Sequence, residues 1–133
     1  MSTKIQYLNP EGLSKNPAFS QIVVTEGNGK TIYIGGQNSI NAKSEIIGKG
    51  DISIQSEQAM KNLETALSAY NATFNDLVKI TIYIVQGQDL RKAFEASQKF
   101  FKDVTNPPAV SGLFVSALAN PDYLIEIDAI AFV

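Results

Sequence analysis

Acid–base chemistry in this chain falls to carboxylates, tyrosines and lysines, because its 133 residues include no cysteine and no histidine. A thiolate nucleophile, a thiolate or imidazole zinc site and a Ser-His-Asp triad are excluded with them. The Asp and Glu residues form no EF-hand-like or otherwise ligand-spaced cluster, so a metal is not expected. Glu126 and Asp128 sit in LIEIDAIAFV, residues 124–133. There Ile125, Ile127, Ala129, Ala131 and Val133 alternate onto one face, and Leu124, Glu126, Asp128 and Ile130 fall on the other. On residues alone, Glu126 reads as a solvated glutamate on a half-exposed strand. Tyr33, Tyr83 and Tyr123 carry hydroxyls able to donate in a cleft, although tyrosines in sheets mostly pack. Gly35-Gly36-Gln37 has the backbone for an anion nest but lacks the spacing of a phosphate loop and a following helix start, which favours strand termination. Lys79 faces away from the apolar side of its strand and reaches for solvent.

These residues need elements to hold them. QIVVTEGNGKTIYIGGQ, residues 21–37, has two β-rich runs around Asn28-Gly29, which predicts a tight hairpin. Residues 39–51 are polar and glycine-punctuated and read as loop. From Ile54 to Tyr70, Met60, Leu63, Leu67 and Tyr70 recur at spacings of three and four, predicting an amphipathic helix with Ser53 as N-cap and Asn71 as its left-handed stop. LVKITIYIV, residues 77–85, puts Val78, Ile80, Ile82 and Ile84 on one face and Leu77, Tyr83 and Val85 on the other, the pattern of a central strand. Asp89 caps a second helix to about Val104, with Leu90, Phe94, Phe100 and Phe101 apolar and Glu95 spaced to pair with Lys99. AVSGLFVSAL and LIEIDAIAFV, joined across Asn120-Pro121-Asp122, are the last strands. The predicted order is β-β-α-β-α-β-β, an α+β fold with a mixed sheet and two helices packed on one face. No part of the chain is left to cover the other face, so a further copy of the same sheet is expected there.

Length and composition fit one domain spanning residues 1–133. No run approaches the roughly 20 apolar residues that cross a bilayer, and MSTKIQYLNPEG has no apolar leader core. No membrane partner and a cytoplasmic location are therefore expected. Net charge is −2, the sequence pI is about 5.0 and the lysines are scattered singly, so no nucleic-acid partner is expected either.

Six blocks, in order, resemble the RidA family, also called YjgF-like, over essentially the whole chain. They are NPAFSQ (16–21), IYIGGQ (32–37), QAMKNLETAL (58–67), LVKITIYI (77–84), NPPAVS (106–111) and IEIDAIA (125–131). The resemblance implies a chorismate-mutase-like α+β fold assembled as a homotrimer, with a small-molecule ligand in each intersubunit cleft. It also implies hydrolysis of reactive enamines and imines, such as 2-aminoacrylate, to a 2-oxo acid and ammonia without metal or organic cofactor. Such a site needs a cation for the substrate carboxylate, a group that orients water, and shelter from solvent. In the family an arginine directly after a Pro-Ala pair grips the carboxylate in a bidentate fork, and a glutamate on the last strand holds and activates the water.

Carried over by position, Glu126 matches that glutamate and is the candidate catalytic residue. The arginine position, after Pro108-Ala109, is Val110. Phe19 stands where the family has a tyrosine, Gly35 where it has a serine, and Gln98 is aligned with an asparagine of the second helix. Gly112 replaces a common cysteine and keeps only its backbone carbonyl to offer. With Phe114, these residues make the expected substrate-binding cleft apolar, and Pro107-Pro108 stiffen the entry to its strand. A carboxylate buried there without a cation would cost roughly several kcal/mol. Deamination of 2-aminoacrylate-type substrates is therefore expected to be absent or much weakened. Two alternatives stand: a deaminase acting through Glu126 on a different, uncharged enamine or imine, and a non-catalytic module binding a metabolite or a protein. A nuclease or translation-inhibitor role, also attached to the family, finds little chemical support in an acidic chain without histidine.

Overall fold

Alternation in the last strand sets the architecture. Ile125, Ile127, Ala129 and Ala131 are each no more than 2% exposed, whereas Glu126, Asp128 and Ile130 between them are half-buried. The computed structural model describes residues 4–133. Its elements are β1 (Lys4–Leu8), β2 (Ile22–Glu26), β3 (Thr31–Gln37), α1 (Ile52–Ser68), β4 (Leu77–Val85), α2 (Leu90–Ser97), β5 (Ala109–Val115) and β6 (Ile125–Phe132). The main sheet runs β3-β6-β4-β5, with β4 and β5 parallel and the other pairs antiparallel. Both helices pack on the face to which Ile125 and Ile127 point. The α+β class, the mixed sheet and the one-sided helix layer are as the sequence predicts.

The core is the seam between the layers. Met60, Leu63 and Leu67 of α1 bury against Ile80, Ile84, Ile125 and Ile127. Each such side chain contributes roughly 1.5–3 kcal/mol by leaving water. Phe74, in the connection into β4, stacks edge-on to Phe101 and tilted to Phe100, which closes the seam below α2.

Several local expectations are corrected. The chain has one strand more than predicted, because KIQYL forms β1 and pairs antiparallel with β2 from Lys4↔Glu26 to Leu8↔Ile22. Asn28-Gly29 consequently does not close a β2–β3 hairpin: β2 belongs to the two-stranded ribbon with β1, and β3 pairs with β6. The turn is drawn into the main sheet instead. Lys30 and Val133 exchange both backbone hydrogen bonds, and Gly29 lies so close to the Phe132 ring that a Cβ there would overlap it. Tyr7 ties the ribbon to the main sheet by donating to the carbonyls of Asn75 and Leu77.

Helix α1 starts two residues earlier than predicted, capped by Asp51, whose Oδ1 accepts from the Ile54 amide at 3.0 Å. Asn71 is left-handed as expected, at φ 55°. Tyr70 lies past the helix end and is exposed, with the Lys30 ammonium over its ring. In β4 the register slips between Leu77 and Lys79, which turns Leu77 to the core side rather than the side of Tyr83. Asp89 caps α2 by accepting from the Arg91 and Lys92 amides, but the α-helix ends at Ser97 and continues only as a 3₁₀ turn to Phe100. Lys99 reaches Glu57 on α1 at 2.7 Å, leaving Glu95 to Arg91. Lys61 approaches the same Glu57, and the hydrogen bond from Lys99 followed by that from Lys61 holds its carboxyl below the usual range.

Candidate functional site

The sheet separates the sequence-predicted site residues into two groups. Val110 is level with Ile80 across the β4–β5 pair, and Gly112 with Ile82, so both face the helices. Phe114, level with Ile84, continues that side and is exposed. Gln98 stands at the end of α2 over the same region. Together with Ile82, Leu90, Phe94 and Phe101, Val110 and Gln98 line a pocket of about 140 Å³ between α2 and the sheet. Gly112 and Gly35 each have open space where a side chain would stand.

Glu126 lies on the opposite face. It is level with Tyr83 on β4, and the strand neighbours that flank it, Ile125 and Ile127, point into the core and the pocket. Glu126 and Val110 therefore do not meet within one chain. The carboxylate of Glu126 is fixed from two directions. Asn38 donates from Nδ2 to Glu126 Oε1 at 3.3 Å and to the Ile125 carbonyl at 3.0 Å. Gly36 lets the side chain lie across β3: a Cβ at Gly36 would fall 2.6 Å from Glu126 Cδ. Gly35 and Gly36 thus lie inside β3, at its irregularity between Ile34 and Gln37, rather than ending the strand, and the room at Gly36 is taken by Glu126.

Asn38 is itself held by helix α1. Asn62 donates to the carbonyls of Asn38 and Ile40 at 2.9 and 2.8 Å, and Gln58 donates to Asn62 Oδ1. A polar chain thus runs from α1 through the β3 exit to Glu126. Beside Glu126, Tyr83 stands close to Asp128. The charge of Asp128 is the largest cause that raises the Tyr83 phenol above its ordinary value, with Glu126 adding in the same direction. Lys79, expected to reach solvent, donates to Ser111 Oγ at 2.6 Å on this face.

Phe19 is half-buried in the segment that runs beside the start of β5. Ser20 docks that segment, donating from its amide to the Pro108 carbonyl and from Oγ to the Pro107 carbonyl. The proline pair therefore offers carbonyls to a neighbouring segment as well as stiffening the strand entry. Sequence reasoning missed Asn38, Asn62, Leu90 and Phe94 as site residues. A paired glycine in a strand signals room for a close approach, but the residue that fills it here is set by the β3–β6 pairing. Among the described residues no group of three or more Asp or Glu is arranged to hold a metal ion, and no helix is long and apolar enough to cross a membrane.

A mixed sheet with two helices on one face, a polar and uncovered opposite face, and an apolar pocket under the second helix defines a two-layer α+β protein. The chain belongs to the RidA, or YjgF-like, family: the family model described as Endoribonuclease L-PSP matches residues 12–133. A RutC family protein of Pyrococcus horikoshii is 36% identical over 104 residues, covering 78% of this chain and 80% of that protein. Human 2-iminobutanoate/2-iminopropanoate deaminase is 32% identical over 113 residues, covering 85% of this chain and 78% of its own length. Among solved structures, a protein of unknown function of the Rid family from Yersinia pestis superposes with a TM-score of 0.86 at 32% identity, covering 97% of this chain and 98% of that one. The YjgF gene product of E. coli superposes with a TM-score of 0.68 at 29% identity, covering 80% and 83%.

Proposed function

We propose that the chain, as one domain over residues 1–133, forms a cytoplasmic homotrimer with small-metabolite clefts between subunits, in which deamination of 2-aminoacrylate-type substrates is absent or much weakened. One observation carries this reading: Val110 follows Pro108-Ala109, and the sole arginine, Arg91, lies on the outer surface of α2 against Glu95. The pocket beside Val110 therefore has no guanidinium for a substrate carboxylate. Assembly is supported by the uncovered sheet face. It also gives Glu126 a route to the Val110 side of a cleft, since the two residues face apart in one chain and a neighbouring copy can bring them together.

Loss of a charge-assisted pair worth about 1.5–3 kcal/mol lowers turnover roughly 10- to 150-fold. The test is hydrolysis of 2-aminoacrylate beside an arginine-bearing deaminase, with Val110→Arg as the gain-of-function variant. Rates equal to those of the arginine-bearing enzyme would refute the reading. Sedimentation giving a monomer at micromolar concentration would refute the trimer.

A second reading, deamination of an uncharged enamine or imine, draws on the way Asn38 and Gly36 fix Glu126. Water adds to the imine carbon while Glu126 takes its proton. That proton passes to nitrogen to give a carbinolamine, the hydroxyl proton then moves to the same nitrogen by way of Glu126, and ammonia leaves as the carbonyl forms. Glu126→Gln abolishing turnover of such a substrate supports this chemistry; unchanged turnover rejects it. A non-catalytic module remains if no imine is turned over. RNA cleavage ranks last: the family description names it, but this chain has pI about 5.0 and no histidine.

A further inference from the structure

One space in the molecule is walled almost wholly by carbon. The pocket under α2 measures about 140 Å³ and has Ile82, Leu90, Phe94, Phe101 and Val110 in its wall. Ser97 also touches it, but its hydroxyl is already spent on the Ala93 carbonyl at 2.8 Å. Gln98 is the remaining polar group, and it is exposed, so its amide stands at the mouth. Leu90 and Phe94 are each 53% exposed although they belong to the apolar stripe of α2. Both line the pocket.

Size and wall chemistry select the occupant. An engineered cavity of about 150 Å³ lined by Leu, Ile and Phe in another protein stays dry and binds benzene. A charged group in this pocket would lose its hydration and meet no counter-ion, since Arg91, Lys92 and Glu95 stand on the exposed surface of α2. The two phenylalanines favour a flat ring, which can meet them edge-on or offset. We propose that this pocket binds an uncharged aromatic ring of benzene size, with a polar substituent left at the mouth beside the Gln98 amide. This deepens the proposed function and rests on its reading of Val110 as leaving the site without a cation.

The test titrates isotope-labelled protein, in the assembly it forms in solution, with benzyl alcohol and with benzoate. The two probes share a ring and differ in charge. Benzyl alcohol is expected to bind about tenfold or more tightly than benzoate, because only benzoate buries an unpaired charge. Amide shifts are expected to centre on Leu90, Phe94, Gln98 and Val110. Phe94→Ala is expected to weaken benzyl alcohol about tenfold. Leu90→Ser, a change at the exposed rim, is expected to weaken it several-fold with the fold intact, which keeps the test alive if the first variant does not fold. Val110→Arg is expected to reverse the preference toward benzoate. Equal or tighter binding of benzoate to the unaltered protein, binding of neither probe, or shifts confined to the other sheet face would overturn the inference. Turnover of 2-aminoacrylate, read on the same preparation, separates the failures: no ring binding with turnover still low removes the ligand and leaves the proposed function standing, whereas rapid turnover removes the latter.

Discussion

The two faces of the β3-β6-β4-β5 sheet are built from the same strands and differ at alternate residues. On the helix side Ile80, Ile84, Ile125 and Ile127 are buried, and the apolar pocket under α2 opens beside them. On the open side Lys79, Thr81 and Tyr83 of β4 stand beside Glu126 and Asp128 of β6, held by hydrogen bonds to Ser111 and Asn38. The first face obtains its free energy from removing carbon from water, which is insensitive to direction. The second is specified by donor and acceptor geometry, which gives little net energy per bond but fixes where each charge sits. Close packing is thereby concentrated on one side of the sheet and fixed charge on the other, and substitutions on the two sides should fail in different ways.

The largest effect is expected on the sealed side. Ile127→Ala leaves a cavity between β6 and α1 and should cost about 2–5 kcal/mol in denaturant unfolding. A cost below about 1 kcal/mol would mean that this side is not the core. The contrasting substitution is Thr81→Glu at the centre of the open side, level with Ser111 and Asp128. It places a third carboxylate near Glu126 and Asp128, and like charges brought together at an interface cost roughly several kcal/mol. Folding by circular dichroism should survive, while sedimentation should shift from the proposed trimer to smaller species. Loss of fold with the assembly retained would reverse the comparison.

A smaller effect probes the polar side locally. Gly36→Ala sets a methyl group against Glu126 Cδ and Cγ, so the carboxylate must leave Asn38. Glu126 can swing its flexible end aside, so the cost is that of the lost hydrogen bond, about 0.5–1.5 kcal/mol. Adding Glu126→Ala should recover most of that loss, a coupling within the range of about 0.5–3 kcal/mol seen for residues in contact. Independent, additive effects would show that Gly36 is there for the strand's bend and not for the glutamate.

The sealed side was legible in the sequence and the open side only in part. Alternation in LIEIDAIAFV and the three-four spacing of Met60, Leu63 and Leu67 report burial, which is set residue by residue, so both elements follow from pattern. Asn28-Gly29 misled because its local turn preference is weaker than the pairing of Lys30 with Val133, a partner about a hundred residues away that no window contains. Leu77 misled because a bulge changes which face a residue takes, and nothing in LVKITIYIV marks it. The candidate site suffered most from this kind of distance. Resemblance pointed to Val110, Gln98 and Glu126 together, yet strand register puts Val110 under α2, whose end carries Gln98, and Glu126 on the far face. Asn38 and Asn62 act through backbone carbonyls and one carboxylate oxygen, and asparagines on a loop and a helix carry no periodic signal of that role.

The smallest expected effect lies within the polar side and tests whether its charges act as a group. The Tyr83 phenol is raised above 10.0 chiefly by Asp128 and further by Glu126, since a phenolate beside carboxylates is disfavoured. Near neutral pH both the folded and unfolded chains keep this proton, so the shift contributes nothing to the pH dependence of stability there. Above the unfolded value the unfolded chain releases its proton first. Stability is therefore full below about pH 10 and falls as pH rises through the folded pKa. Phenolate absorbance, read as the difference between the parent and Tyr83→Phe, should titrate later than free tyrosine. Asp128→Asn should bring that titration part of the way back, and Glu126→Gln should move it less. A larger return with Glu126→Gln would mean that the glutamate, not the aspartate, governs the phenol, and that the open face is organised around the carboxylate fixed by Asn38 and Gly36.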